Sequence, residues 1–166
     1  MLRRIALGFA LVISSASFAG PMSTLIGNKY EGSGNWKLPD AKTGTYTATS
    51  TFASVDNSTV SINTQIKIST GENKEWTVYF RFTDPKNAQF FDNLMKNEAG
   101  EFVKVGAGYC YESLCHFAVG TGTEVWEETM VFQEKSFVAM GSKYEHSKGT
   151  FKFAYLADMK EAAAGQ

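Results

Sequence analysis

A tyrosine, a histidine and a glutamate could do chemistry together in this sequence if the fold brings them to one place. They are Tyr109, His116 and Glu128. A histidine oriented by a carboxylate can move protons near neutral pH or anchor the polar head of a ligand. Three interpretations are open: buried polar groups that satisfy one another, a polar anchor for a ligand, and acid–base catalysis. The choice between them depends on the strands that position the three residues.

Cys110 and Cys115 are the two cysteines of the chain. An even number of cysteines predicts a disulfide in an exported protein, and a redox-active pair is the alternative. If residues 111–114 form a hairpin loop, the two cysteines lie directly opposite each other on adjacent strands. Their Cα atoms are then about 4.5–5.5 Å apart, which is within the range of a disulfide.

The cysteine pair also predicts a register for its neighbours. Tyr109 is expected opposite His116, and the face that carries both is interpreted as the inner one. The more apolar face of the next strand, which includes Trp126 and Glu128, is also interpreted as inner. On this basis Tyr109, His116 and Glu128 point together into the interior of the fold.

The strands themselves are predicted from a period of two, in which apolar and polar residues alternate. Turn signals separate the alternating segments, and no second domain or internal repeat is visible. The predicted strands after the first are Thr45–Phe52, Val60–Ser69, Trp76–Thr83, Phe102–Cys110, Cys115–Val119, Thr123–Gln133, Ser136–Ser142 and Thr150–Leu156.

Two segments depart from this pattern. Asn87–Lys96 follows an Asp-Pro pair and favours a helical turn or two, with a short strand as the alternative. Lys160–Gln166 is small and polar, and a frayed tail is expected there.

Many consecutive antiparallel strands favour closure into a barrel, which removes the sheet edges, although a two-sheet sandwich also fits the alternation. The first strand contains Gly34-Asn35-Trp36, and the segment Tyr30–Trp36 resembles the opening of calycins such as lipocalins. The chain is also similar to exported bacterial lipocalin-like proteins. The resemblance implies an up-and-down antiparallel β-barrel of eight to ten strands around a cavity. It also implies that Gly34 and Trp36 are structural, with the Trp packed across the closed end.

The N-terminus has the features of a signal peptide. Arg3 and Arg4 precede an apolar run that is too short to span a bilayer, and small residues end at Ala19. We therefore expect a signal peptide at residues 1–19 and a single barrel domain at residues 20–166. The expected location is the periplasm or the outside of the cell.

Composition excludes several classes of function. Arg3 and Arg4 lie in the leader, which leaves 14 of the 16 Lys and Arg residues against 17 Asp and Glu, so a basic surface for nucleic acid is not expected. The two histidines share no ligand spacing, so no metal and no cofactor are predicted. No stretch of the mature chain is apolar enough to be an integral membrane segment.

These observations predict an exported, non-enzymatic protein that holds a small, largely apolar ligand in its barrel. No catalytic residue is assigned. The alternatives are a small periplasmic enzyme that uses the Tyr/His/Glu cluster, and a structural or interaction module with a filled barrel. The predicted ligand-binding residues are Tyr109, His116, Glu128, Trp126 and Phe80.

Overall fold

The computed structural model describes residues 22–84 and 89–163, apart from the side chain of Thr121. Within these ranges a short 3-10 turn, Ser23–Leu25, precedes ten β-strands. In chain order the strands are β1 (Lys29–Lys37), β2 (Thr43–Ser54), β3 (Thr59–Ile68), β4 (Asn73–Phe82), β5 (Phe90–Lys96), β6 (Phe102–Tyr111), β7 (Leu114–Thr121), β8 (Glu124–Gln133), β9 (Ser136–Glu145) and β10 (Thr150–Glu161).

Each strand runs antiparallel to the next strand in the chain, and the last strand pairs with the first. β1 is hydrogen-bonded to β2 on one side and to β10 on the other, so the sheet closes on itself. Closure pairs the first strand with the last, so neither is a free edge of the sheet. Between β4 and β5 the pairing covers only Tyr79–Phe82 of β4. The all-β, up-and-down antiparallel barrel of eight to ten strands is confirmed, with ten strands.

The barrel has a closed end, where β1 begins, and an open end, where β1 ends. At the closed end the rings of Tyr30, Phe52 and Phe137 meet edge to face, with centroids 5.3–5.6 Å apart. Met22, just before the 3-10 turn, and Leu25 within it are 0% exposed and join the same core. Fully burying an apolar side chain of this size stabilises a fold by about 1.5–3 kcal/mol. The closed end is therefore a packed core.

The segment Asn87–Lys96 differs from its prediction, because it contains strand β5. The helical turn predicted there is wrong, because Phe90–Lys96 is a strand; residues 87 and 88 lie outside the described ranges. A bulge between Asn93 and Leu94 buries both of these consecutive side chains. The bulge breaks the period of two that identifies the other strands, whereas pairing with β4 and β6 still requires an extended backbone.

The β6–β7 hairpin carries the predicted disulfide. Cys110 and Cys115 are direct cross-strand partners and are bonded to each other, so that prediction is confirmed. The strands extend to Tyr111 and Leu114, which leaves a two-residue loop rather than the predicted four-residue loop. Glu112 in this loop has a φ of 50°, as tight two-residue hairpins require.

β10 runs farther than the sequence predicts. Its predicted end is Leu156, but the strand continues to Glu161 because β1 lies beside it, with Lys160 opposite Glu31. The frayed tail expected from Lys160 is therefore wrong for its first two residues. Residues 164–166 and the predicted signal peptide lie outside the described residues.

Candidate ligand-binding site

A cavity of about 550 Å³ lies inside the barrel between the two ends. Small-molecule sites typically have volumes of about 300–1,000 Å³. The cavity reaches the surface beside the β3–β4 turn, where Thr70, Glu72 and Lys74 line it and are exposed. Toward the closed end its wall is mostly apolar and includes Ala48, Ile62, Val78, Phe80, Met130, Phe137, Ala139, Ala157 and Met159. The hydroxyls of Ser50 and Thr64, which also line it, are hydrogen-bonded to each other.

All three tryptophans of the chain line this cavity. Trp76 on β4 and Trp126 on β8 meet edge to face, with 5.6 Å between their ring centroids. The ring centroid of Tyr155 on β10 is 6.1 Å from that of Trp126. Trp36 on β1 is the cross-strand partner of Tyr155. These rings line the open half of the cavity, where they contribute apolar area and π-systems whose faces carry partial negative charge.

Glu128 places a carboxylate inside this aromatic wall. The Tyr155 hydroxyl donates a hydrogen bond to Oε2 of Glu128 and accepts one of 3.0 Å from Nε1 of Trp126. Burial raises the pKa of Glu128 to about 7, and the bond from Tyr155 offsets part of that rise. The Glu128 carboxyl group therefore changes its charge near neutral pH.

The two tyrosines near this carboxylate remain protonated through that range. Burial raises the pKa of Tyr155, and the charge of Glu128 together with their hydrogen bond raises it further. Burial likewise raises the pKa of Tyr46, with a smaller effect from the charge of Glu128. Both tyrosines therefore keep the hydroxyl proton whether or not Glu128 is ionised, and Tyr155 donates its proton to Glu128 in a hydrogen bond.

Two glycines leave space for the rings of these tyrosines. Gly141 on β9 is the register partner of both Glu128 and Tyr155, and a Cβ at this position would lie 2.5 Å from the Tyr155 hydroxyl oxygen. Gly34 on β1 has the same relation to Tyr46, whose hydroxyl oxygen would lie 2.5 Å from a Cβ there. Each tyrosine ring therefore lies across a neighbouring strand at its glycine.

The cavity includes some of the predicted ligand-binding residues and leaves out others. Glu128, Trp126 and Phe80 line it, as the inward faces of their strands predict. Tyr109 and His116 are not among the lining residues. A role in ligand binding remains a prediction for the three residues that line the cavity, and the geometry gives the other two no access to it.

The predicted Tyr109–His116–Glu128 cluster does not form. Tyr109 is 44% exposed on the outer surface, and Nδ1 of His116 is 2.9 Å from Oγ1 of Thr129. Glu128 lies opposite Phe117, so it points to the other side of the sheet from His116. Tyr109 does pair with His116 as predicted. The prediction is wrong in its choice of the inner face, not in its register.

The inner face of the β6–β7 hairpin is the one that carries the disulfide. Cys110 and Cys115 are 3% and 0% exposed, and Phe117 packs against Phe80 with 5.1 Å between ring centroids. Cysteine is among the residue types that are most often fully buried. The sequence therefore contained a signal for the correct face, namely the cysteines themselves.

Trp36 lies in a different place from the one that the resemblance implies. It was expected to pack across the closed end, but it lies near the end of β1 and lines the open half of the cavity. Its ring covers Gly44, where a Cβ would lie 2.3 Å from the ring, and its Nε1 atom is buried without a partner among the described residues. Gly34, under the ring of Tyr46, has the packing of a structural residue.

The sequence analysis did not select Tyr46, Tyr155 or Gly141. Tyr46 occupies an inward position of a predicted strand, but so do many aromatic core residues. The alternation around Tyr155 is interrupted by an irregularity in register between Phe151 and Phe153. The role of Gly141 becomes visible only in the structure, where the ring of Tyr155 lies across it.

The described residues contain no group of three or more His, Cys, Asp or Glu side chains that could hold a metal ion. Within the same residues, no helix has the length and apolar character to cross a bilayer.

No family model and no curated protein sequence matches this chain. Solved structures of similar fold include the S-type phycobiliprotein lyase CPES from Guillardia theta, with a TM-score of 0.66 and 6% identity over 87% of this chain and 92% of that one. Rv2717c from M. tuberculosis has a TM-score of 0.63 and 12% identity over 88% and 99% of the two chains.

A protein of the DUF3598 family from Nostoc punctiforme also has this fold, with a TM-score of 0.63 and 12% identity over 85% of this chain. The present chain spans about half of that protein, 49% of its length. At these identities the likeness concerns the fold alone. The neighbours are calycin-like ten-strand antiparallel barrels, so the resemblance is confirmed for the fold.

Proposed function

We propose that this protein is an exported, non-enzymatic binding protein that holds a small, largely apolar molecule inside its barrel. The observation that carries this proposal is the cavity of about 550 Å³, which is walled by apolar side chains and by every tryptophan of the chain. A barrel with a purely structural role has no need of a cavity that reaches the surface, because filled cores are the more stable arrangement.

The geometry gives less support to the two alternatives. The enzyme hypothesis required Tyr109, His116 and Glu128 to converge on an accessible pocket, and they lie on opposite sides of the sheet. The interaction-module hypothesis required a filled barrel, and the open half of this barrel is hollow. Ligand binding is therefore the function that best fits the hollow, apolar interior of the barrel.

A pair of substitutions on β2 tests the binding function. Ala48→Trp places a large side chain into the cavity, while Thr47→Trp adds the same side chain to the exposed outer face one residue earlier. We expect native mass spectrometry of the wild-type protein from its own host to show a co-purifying small molecule. The Thr47→Trp variant should retain it, and the Ala48→Trp variant should lose it.

Thermal unfolding of both variants separates loss of ligand from loss of fold. As a second measurement, added decanol should change the tryptophan fluorescence of the wild-type protein, since all three tryptophans line the cavity. A wild-type protein that carries no small molecule and does not respond to decanol would contradict the proposal.

Export is the second part of the proposal, and it is supported by the leader-like sequence of residues 1–19 and by the Cys110–Cys115 disulfide. The mature protein is expected to begin at Gly20. Intact-mass analysis of the protein from cell extract and from the extracytoplasmic fraction tests this, and a chain that keeps Met1 in both fractions would contradict it.

A further inference from the structure

The charged groups around the cavity are unevenly distributed. Its basic side chains are Lys74 and Lys143, both near the open end, and each is paired with a glutamate. The Nζ atom of Lys74 is 3.1 Å from Oε1 of Glu72, and Lys143 contacts Glu124. Glu128 lies deeper and is paired with a neutral tyrosine hydroxyl. The interior therefore holds one carboxylate without a cation beside it among the described residues.

Aromatic rings surround this carboxylate. Trp126 lies two residues before Glu128 on the same face of β8, and Tyr155 bonds directly to the carboxylate. Trp76 contacts Trp126, and Trp36 neighbours Tyr155. The faces of tryptophan and tyrosine rings attract cations, and this attraction is stronger when the cation is removed from water.

We propose that the ligand is a lipophilic organic cation, a protonated amine or a quaternary ammonium, whose charged head sits between Glu128 and the rings of Trp126 and Tyr155. This inference rests on the proposed binding function and specifies its ligand class. The apolar body of the ligand lies against the wall toward the closed end, where Ala48 and Ala139 leave space.

The other head groups fit less well. An anionic head, such as the carboxylate of a fatty acid, meets a like charge at Glu128 and has no unpaired basic partner in the described wall. A neutral alcohol gains a hydrogen bond to Glu128, but it does not compensate the buried negative charge. A cation does so, and it is also attracted by the ring faces.

Three probes with the same decyl chain test the inference: decyltrimethylammonium as the cation, decanol as the neutral compound and decanoate as the anion. Each is titrated into the mature protein below its micelle concentration or, for decanol, below its solubility limit. The pH is about 8, where Glu128 is ionised. Tryptophan fluorescence reports binding. We expect the cation to bind at least about tenfold more tightly than decanol, because the ammonium charge is attracted both by the Glu128 carboxylate and by the ring faces. Decanoate should bind most weakly.

Two substitutions on β8 locate the preference. Glu128→Gln keeps the shape of the side chain and removes its charge, and should weaken binding of the cation by about 10- to 100-fold with little change for decanol. Glu127→Gln is the matched control, because Glu127 pairs with Tyr144 and does not line the cavity. This control should leave binding of all three probes unchanged.

The pH dependence gives a readout that needs no variant. Decyltrimethylammonium keeps its charge at every pH, so its affinity should fall as the pH drops through about 7 and Glu128 takes up a proton. The two tyrosines that face Glu128 keep their protons in this range, because burial raises the pKa values of Tyr155 and Tyr46. Lys143 is paired with Glu124 at the rim. Affinity for decanol should stay constant over the same range.

The outcomes separate this inference from the binding function. If decanol or decanoate binds as tightly as the cation, or if Glu128→Gln keeps the preference for the cation, the ligand class is wrong and the binding function stands. If none of the three probes binds to the wild-type protein, the binding function itself is contradicted.

Discussion

The two ends of this barrel are built from the same ten strands and the same alternation, yet one end is filled and the other is hollow. At the closed end the inward positions hold large rings such as Tyr30, Phe52 and Phe137, which are at most 3% exposed. At the open end Trp76 and Trp126 line a cavity and are only partly buried. The filled half stabilises the fold, and the hollow half provides the space that the proposed binding function needs.

This separation has a physical consequence. A buried carboxylate without a cationic partner lowers the stability of a fold. It is tolerated where the rest of the core provides more stabilisation than the carboxylate costs. Here the packed closed end supplies that stability, while Glu128 lies in the hollow half. The difference between the ends can be tested directly by substitutions in each of them.

The largest effect is expected at the closed end. Phe52→Ala should lower the free energy of unfolding by about 3–5 kcal/mol, because the side chain is fully buried between Tyr30 and Phe137. Trp76→Ala at the open end should cost less than about 2 kcal/mol, because it enlarges a cavity that already exists. Urea unfolding of both variants measures the difference. Equal losses of unfolding free energy in the two variants would contradict the difference in packing between the closed and the open end.

An intermediate effect is expected from Glu128 and should depend on pH. Its pKa is raised from 4.5 to about 7 in the folded protein. Below pH 4.5 the carboxyl group is protonated in both the folded and the unfolded state, so its charge does not lower the free energy of unfolding. As the pH rises from 4.5 through about 7, the group ionises more readily in the unfolded state, and the free energy of unfolding falls. At about pH 8 Glu128→Gln should therefore be more stable than the wild-type protein by about 2–3 kcal/mol.

Near pH 5 that advantage of the Glu128→Gln variant should be much smaller. Urea unfolding of the two proteins at both pH values provides the comparison, with Glu127→Gln as the control from the outer face. A stability difference that does not change with pH would show that Glu128 has an ordinary pKa.

The smallest effect is expected outside the barrel. His116→Gln removes a hydrogen bond to Thr129 on the outer face and should cost about 1 kcal/mol of unfolding free energy or less. Affinity for decanol should remain within about twofold of the wild-type value, since such distant sites rarely couple. A loss of binding of about tenfold or more would restore His116 to the binding site and weaken the contrast between the inner and outer faces.

The fold was predictable from local patterns, and the site was predictable only in part. Alternation identified the strands apart from β5, where a bulge at Asn93 hides the period. The cysteine spacing predicted the β6–β7 register correctly. The same reasoning chose the wrong face for His116, because a period of two says that neighbours point to opposite sides but not which side is inside.

The sequence by itself determined the all-β class, the disulfide and the inward positions of Trp126, Glu128 and Phe80, because these depend on local spacing and on which face of a single strand is the more apolar. Only the tertiary structure decided that Tyr155 reaches Glu128 across Gly141 and that the three tryptophans share one cavity. Those contacts join strands far apart in the chain, and their geometry exists only once β10 has closed against β1.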